Sequence, residues 1–249
     1  MGSFAESKGP GKRESGVLLA LFVYSLVPVL GGLLRAVELS AGFHFLPPNP
    51  RAQAFPLSVV AHTLASAIFC LGGAVQLMPG IRHSRPILHQ RLGRVVLPAG
   101  LVVAATGMWM TLSFNFPVEL QGTALCATRL AVSCMMLVLL YRAVAALRRR
   151  DYHCHGAQLL RAYALGLGAS TQAVLGLAWM LLFRAELLGP ARDAMMLLAW
   201  VANALVAEYL IRRHLKPRQS RQSPQSKWQQ VDHRQDSTPL TCHDGGECV

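Results

Sequence analysis

Charged residues are scarce in this sequence. Lys, Arg, Asp and Glu together make up 14% of its 249 residues, whereas 53% are hydrophobic, and a typical soluble domain has about 25% charged residues. So few charges cannot solvate the surface of a globule of this size. The shortage therefore argues against an ordinary soluble enzyme or binding domain and favours a chain that is solvated by lipid.

Several motifs that are typical of soluble enzymes and binding domains are missing as well. The six cysteines have the spacing of neither a disulfide framework nor a zinc site, and the Cys, His, Asp and Glu residues gathered at 242–248 do not match a known zinc arrangement. There is no glycine-rich phosphate loop. No His-x-x-x-His pair occurs within a predicted helix, and we expect no Asp or Glu inside the helices beside the histidines. These absences argue against hydrolytic zinc chemistry.

Six apolar runs, each long enough to cross a bilayer, dominate what is present. A span needs about 20 apolar residues, because a helix rises about 1.5 Å per residue and the hydrocarbon core is about 30 Å thick. Apart from closed barrels, only a helix satisfies its own backbone hydrogen bonds in lipid. The sequence therefore predicts an all-α, polytopic membrane helix bundle with six transmembrane helices. The runs are 16–39, 57–78, 92–114, 121–147, 157–183 and 194–211.

Basic residues alternate between the two sides of these runs. With the N-terminus inside, nineteen Lys and Arg residues fall on inner segments and four on outer ones, while Arg129 lies within a helix. Cytoplasmic loops carry an excess of Lys and Arg, so this distribution predicts that both termini are cytosolic. It also accounts for the net charge of +12 without nucleic acid, since basic inner loops attract anionic headgroups. Membrane lipids are the expected partners.

Composition also predicts the domain organisation. We assign residues 1–15 to a cytosolic N-terminal segment, 16–214 to the transmembrane domain and 215–249 to a basic cytosolic tail. The tail is rich in Gln, Ser and Pro and has no apolar periodicity, so we expect it to be disordered. Its final residues, Glu247, Cys248 and Val249, suit a strand-addition groove that captures a C-terminal carboxylate. This predicts a cytosolic partner for the tail.

His62 and Arg129 are polar residues within the predicted spans, roughly 8 to 12 Å below the outer ends of their helices. A charge in hydrocarbon costs at least about 2.5–3.5 kcal/mol and tends to mark a functional site. The two residues suit a pocket for a small anionic or carbonyl-bearing amphiphile, such as a quinone or a haem propionate. The alternative is that Arg129 snorkels outward or pairs with Glu119, while His62 hydrogen-bonds a helix carbonyl.

A second polar group lies at the inner face. His89 follows Pro86, which suits the first turn of a helix, and His155 precedes Arg161 in the first turns of the fifth predicted span. The two histidines therefore stand at similar depth at the feet of the third and fifth spans. Two neutral imidazoles that face each other can ligate a haem iron or hold part of a transition-metal site. Interfacial histidines also occur as simple headgroup contacts, and both interpretations stay open.

Two blocks of residues carry a family resemblance. They are His62, 72–76, Arg82, Arg85, Pro86, His89, Gly93 and Arg94, followed by 155–163. Together they resemble the signature of family 2306 of the domains of unknown function, a group of predicted multi-pass membrane proteins. The match covers approximately the second to fifth spans. The resemblance implies the fold and the candidate positions His62, His89, His155 and Arg161, but it implies no reaction.

Histidines at the helix ends of a small bundle also resemble the b561-like dihaem cytochromes. Those proteins hold ligand pairs on both sides of the membrane, whereas here the outer side offers only His62 and, in a loop, His44. We therefore expect at most one bis-histidine site. Three functions stay open. The first is a haem-b-binding electron-transfer protein that acts with a quinone-like donor, with His89 and His155 as axial ligands and His62 with Arg129 at the quinone or propionate. The others are a small-amphiphile carrier or receptor and a membrane assembly protein without catalysis.

Overall fold

Six helical segments are long and apolar enough to cross a membrane, as the sequence predicts. The computed structural model describes residues 12–42 and 49–214, and these ranges contain no β-strand. The all-α, six-span prediction is therefore confirmed. The spans are Ser15–Ala41, Pro56–Gln76, Pro86–Ser113, Thr123–Arg148, Tyr152–Phe183 and Gly189–Arg213.

The described ranges contain nine helices, because two short helices connect the spans and the fifth span is divided. In chain order they are α1 (Lys12–Ala41), α2 (Pro50–Ala54), α3 (Pro56–Gln76), α4 (Pro79–Ser84), α5 (Pro86–Ser113), α6 (Thr123–Arg148), α7 (Tyr152–Gly166), α8 (Gly168–Phe183) and α9 (Gly189–His214). His44 and the tail from residue 215 lie outside the described residues, as do residues 1–11. The tail's disorder, its 242–248 cluster and its partner stay predictions, and so does the cytosolic location of both termini.

Three spans begin five or six residues before the predicted runs, at Pro86, Tyr152 and Gly189. The predicted bounds were wrong there because apolarity stops at the first charged residue, whereas a helix continues through polar interfacial residues when its first turn is satisfied. Before α7, for example, the Asp151 side chain accepts the Cys154 amide hydrogen at 2.9 Å, which is a typical N-cap. The earlier starts place His89 and His155 each at the fourth residue of its helix.

The fifth span consists of two helices rather than one. α7 ends at Gly166 and α8 begins at Gly168, with Leu167 in a turn between them. The indole of Trp200 in α9 lies directly against Gly168, where a Cβ atom would collide with the ring nitrogen. The Leu167 carbonyl accepts the Ser170 amide hydrogen at 3.0 Å. Backbone hydrogen bonds therefore continue across the turn, as lipid requires.

The buried centre lies where α3, α5, α6 and α7 meet, and Tyr163 of α7 reaches across it. Its hydroxyl donates to the Cys70 carbonyl of α3 at 2.9 Å. Its ring lies on Gly73, where an added Cβ would stand 2.6 Å from the ring carbons. Such close approach over small residues is the usual mode of helix association in lipid. Tyr163 thus holds α7, which carries His155, at a fixed height against α3.

Candidate functional site

His155 lies in the first turn of α7 and reaches across to α6. Its Nδ1 is 2.8 Å from the carbonyl oxygen of Ala143. A carbonyl only accepts hydrogen bonds, so Nδ1 must carry the hydrogen. In the neutral ring, Nε2 then has a free lone pair, and within the described part of the chain it has no hydrogen-bond partner. His155 is therefore oriented as a potential metal ligand or hydrogen-bond acceptor.

His89 occupies the equivalent position in the first turn of α5. Its backbone carbonyl accepts a hydrogen bond from the Gln76 side chain at 2.7 Å, which ties the start of α5 to the end of α3. Its ring Nδ1 is buried and, among the described residues, has no hydrogen-bond partner. The ring lies within electrostatic range of Arg82 and His155. The structure thus brings the two predicted histidines into one region at this end of the bundle.

Gln158 of α7 adds a second unsatisfied group to this region. Its Nε2 contacts the sulfur of Cys154 at 3.9 Å, but its Oε1 is buried and finds no partner in the described ranges. Buried polar atoms are usually hydrogen-bonded, so two unpaired atoms near the histidine pair are notable. Two imidazoles are fewer ligands than the four of a usual protein zinc site, and the described residues contain no group of three or more His, Cys, Asp or Glu side chains suited to a metal.

His62 lies in the N-terminal half of α3 and faces α5. Its Nδ1 is 2.9 Å from the Thr106 hydroxyl oxygen, and that hydroxyl donates its only hydrogen to the Val102 carbonyl at 2.5 Å. Nδ1 of His62 must therefore be the donor, which leaves Nε2 as an acceptor. The ring also has a backbone hydrogen bond with Val103 of α5, so the predicted contact to a helix carbonyl is present beside this hydroxyl. His62 and His155 thus both donate from Nδ1, at opposite ends of the bundle.

Arg129 of α6 is half-buried and points toward protein rather than lipid. Its guanidinium donates to the Gln121 side-chain oxygen, contacts the sulfur of Met196 at 3.9 Å and lies 5.2 Å from the centre of the Phe116 ring. Among the described residues it forms no salt bridge with Glu119. His62 and Arg129 thus have separate partners, and no direct contact joins them in the described part of the chain.

Arg161 forms an ion pair that sequence reasoning missed. Its Nε donates to Glu208 Oε1 at 2.5 Å and its Nη2 donates to Oε2 at 3.1 Å, which makes a two-pronged bridge from α7 to α9. The bridge joins Glu208 to an arginine and not to a histidine, so the expectation of no acid beside the histidines stays a prediction. Glu208 interrupts an apolar stretch of the sixth span, and Asp193 is buried in the same helix. Both acids could have been identified from the sequence, because a charged residue within or beside an apolar run is itself a signal of a functional or structural role.

The outer surface of the bundle is apolar, with Leu57 82% and Leu182 76% exposed. Such a surface is suited to lipid and, with the six spans, defines a multi-pass integral membrane protein. A family model described as "Predicted membrane protein (DUF2306)" matches residues 59–211. The chain belongs to this family, as the resemblance implied. Comparisons with curated proteins and with solved structures found no match.

Proposed function

We propose that this membrane protein binds haem b and transfers electrons from a quinone-like donor, with His89 and His155 as the axial ligands. The observation that carries the proposal is the hydrogen bond from His155 Nδ1 to the Ala143 carbonyl. In a neutral ring, this bond places the hydrogen on Nδ1 and the lone pair on Nε2. Metal-ligating histidines are commonly oriented in this way, with the second nitrogen donating to a backbone carbonyl.

The rest of this region fits a haem better than a bare metal ion. The macrocycle brings four nitrogen ligands of its own, so two imidazoles complete the coordination of its iron. The unpaired Nδ1 of His89 and Oε1 of Gln158 provide polar groups that such a cofactor could satisfy. Bound haem would supply one-electron chemistry. The predicted cofactor contact of Arg161 has less support, because Glu208 already satisfies its guanidinium.

His62 suits the reduced form of the donor. Because its Nδ1 is committed to Thr106, the ring offers an acceptor at Nε2, and the hydroxyl of a quinol is a hydrogen-bond donor. A quinol releases two protons and two electrons on full oxidation, and a neutral imidazole in this position can take one of the protons, while the other leaves to solvent. In this proposal the chain positions the donor and accepts one of its protons at one end of the bundle, while a haem held by the histidine pair at the other end would take the two electrons one at a time and pass each on before the next.

The test is an absorption spectrum of protein purified after expression with ample haem. Reduced wild-type protein should show the sharp visible bands of bis-imidazole coordination, and His89→Ala or His155→Ala should abolish them because the iron loses an axial ligand. His83→Ala is the matched control. His83 is an exposed histidine in the neighbouring α4, with its Nδ1 on the Pro79 carbonyl at 2.7 Å. A colourless preparation, or bands that survive both test substitutions, would refute the proposal.

A further inference from the structure

Three arginines gather around the starts of α6 and α9, at the opposite end of the bundle from the histidine pair. Two of them form cation–π contacts with the ring of Phe116. The Arg51 guanidinium lies 5.0 Å from the ring centre and the Arg129 guanidinium lies 5.2 Å from it. Arg192 lies in the first turns of α9, within electrostatic range of Arg129. We call Arg51, Arg129 and Arg192 the arginine cluster.

None of the three has a salt bridge to an acid in the described ranges, where such bridges are Arg35–Glu38 and Arg161–Glu208. Arg129 is held by neutral groups, namely Gln121, the Met196 sulfur and the Phe116 ring. The Nε of Arg192 is buried and has no hydrogen-bond partner among the described residues. Its Nη1 has a single contact of 3.5 Å, to the Leu187 carbonyl.

The acid that follows Arg192 in the chain is already hydrogen-bonded elsewhere. Asp193 is buried, and its Oδ1 accepts the Gly122 amide hydrogen at 3.3 Å, just before the start of α6. A carboxylate in this position stabilises the positive end of a helix. It lies within electrostatic range of Arg129 but does not bridge to it. The cluster therefore contains partly buried guanidinium groups that form no salt bridge. A bound anion would stabilise such an arrangement.

An apolar groove of about 650 Å³ lies between the starts of α6 and α9. The three arginines do not line the groove, but Asp193 does, and Asp193 follows Arg192 in α9 and lies within electrostatic range of Arg129. The groove lining includes two acids, Glu119 and Asp193, so the three arginines exceed the acids by one positive charge. The remaining lining is mostly aliphatic and small, which fits an alkyl chain. The other lining residues are Val118, Gly122, Thr123, Ala124, Gly189, Pro190, Ala194 and Leu197.

We propose that the arginine cluster and this groove bind an acidic amphiphile, with a phosphate or carboxylate headgroup on the guanidinium groups and its alkyl chain in the groove. Guanidinium donors match the paired oxygens of both headgroups. The unpaired Nε of Arg192 gives the headgroup a donor that no described residue uses. This site is independent of the haem proposal, since it shares no residue with the histidine pair and lies at the other end of the bundle.

The test titrates dodecyl phosphate into full-length protein in a neutral maltoside detergent and follows the midpoint of thermal unfolding. A ligand that binds the folded state raises the midpoint in a saturable way, which yields an apparent Kd. We expect Arg192→Gln and Arg51→Gln each to weaken binding about tenfold or more, because each removes a charged donor. Arg184→Gln, which removes the same charge from an exposed arginine outside the cluster, should change the Kd less than about twofold.

Further arms identify the ligand chemistry. Inorganic phosphate should bind far more weakly than dodecyl phosphate, because it cannot fill the groove. Equal affinity would overturn the amphiphile proposal. Dodecylphosphocholine should also bind more weakly, and equal binding would overturn the requirement for an acidic headgroup. Arg129→Lys keeps the positive charge of its position, and if its unfolding midpoint without ligand equals that of the wild type, any loss of binding is not a folding defect. If Arg184→Gln weakens binding as much as Arg192→Gln does, the cluster is not the site.

Discussion

The ion pair between Arg161 and Glu208 should contribute measurably to the stability of the bundle. Replacing Glu208 with Gln keeps the shape but leaves the guanidinium of Arg161 without a counter-charge. The two side chains are 31% and 38% exposed, so the cost should exceed the roughly 0–1 kcal/mol of a water-exposed pair. It should stay below the 3–5 kcal/mol, approximately, of breaking a fully buried pair. We expect Glu208→Gln to destabilise the protein by about 2 kcal/mol, within the insertion cost of an unpaired Arg.

The assay is reversible unfolding by added SDS in neutral detergent micelles, followed by tryptophan fluorescence. A double-mutant cycle with Arg161→Gln isolates the pair, and the coupling energy should be at least about 1 kcal/mol. Arg213→Gln serves as the control. Arg213 is exposed at the end of the same helix and donates to the Tyr209 hydroxyl at 2.6 Å, so its loss should change the stability by less than about 0.5 kcal/mol.

Two outcomes would refute this reasoning. If the double variant loses as much stability as the two single variants added together, the residues do not interact across α7 and α9 in the membrane. If Glu208→Gln is as mild as Arg213→Gln, the pair is solvated like a surface ion pair and α9 is held by apolar packing alone.

Two further predictions concern packing and orientation. Gly73→Ala should destabilise the bundle by about 1–3 kcal/mol, because its Cβ would lie 2.6 Å from the Tyr163 ring; Gly31→Ala, with open space around it, is the control in the same unfolding assay, and equal effects would contradict the packing argument. A reporter that is active only outside the cytosol should stay silent when fused after Val249, because the basic residues favour cytosolic termini; activity there would contradict that orientation.

The number of spans could be predicted from sequence because apolar length is a property of each segment by itself. Their starts could not be predicted from apolarity, although Pro86 suits the first turn of a helix. Pro86 and Asp151 satisfy the first turns of α5 and α7 within polar sequence, where an apolarity criterion has nothing to detect. The break at Leu167 was missed for a related reason, since the residues on both sides of it are apolar, and its neighbour Gly168 packs against Trp200 of another helix, a contact that no local pattern reveals.

The candidate site, too, could be predicted only in part from the sequence. The pairing of His89 with His155 could be proposed from their equal depth, because each lies two or three residues before an apolar run of the sequence. The partners of the polar side chains could not be proposed, because they come from distant parts of the chain. Arg161 and Glu208 are 47 residues apart. Likewise, sequence alone gave no reason to bring Arg51 and Arg129 to the same ring of Phe116.

The acceptor that orients His155 belongs to the backbone of Ala143, not to its side chain. No substitution at position 143 can therefore delete this oxygen, and the ring orientation is insensitive to the chemical nature of that residue. The size of the side chain at position 143 controls the distance between this oxygen and the His155 ring. Position 143 is fully buried, so a larger side chain would push α6 away from α7. Among relatives of this chain, position 143 should accordingly vary only among small residues, including polar ones such as Ser, wherever the histidine is retained.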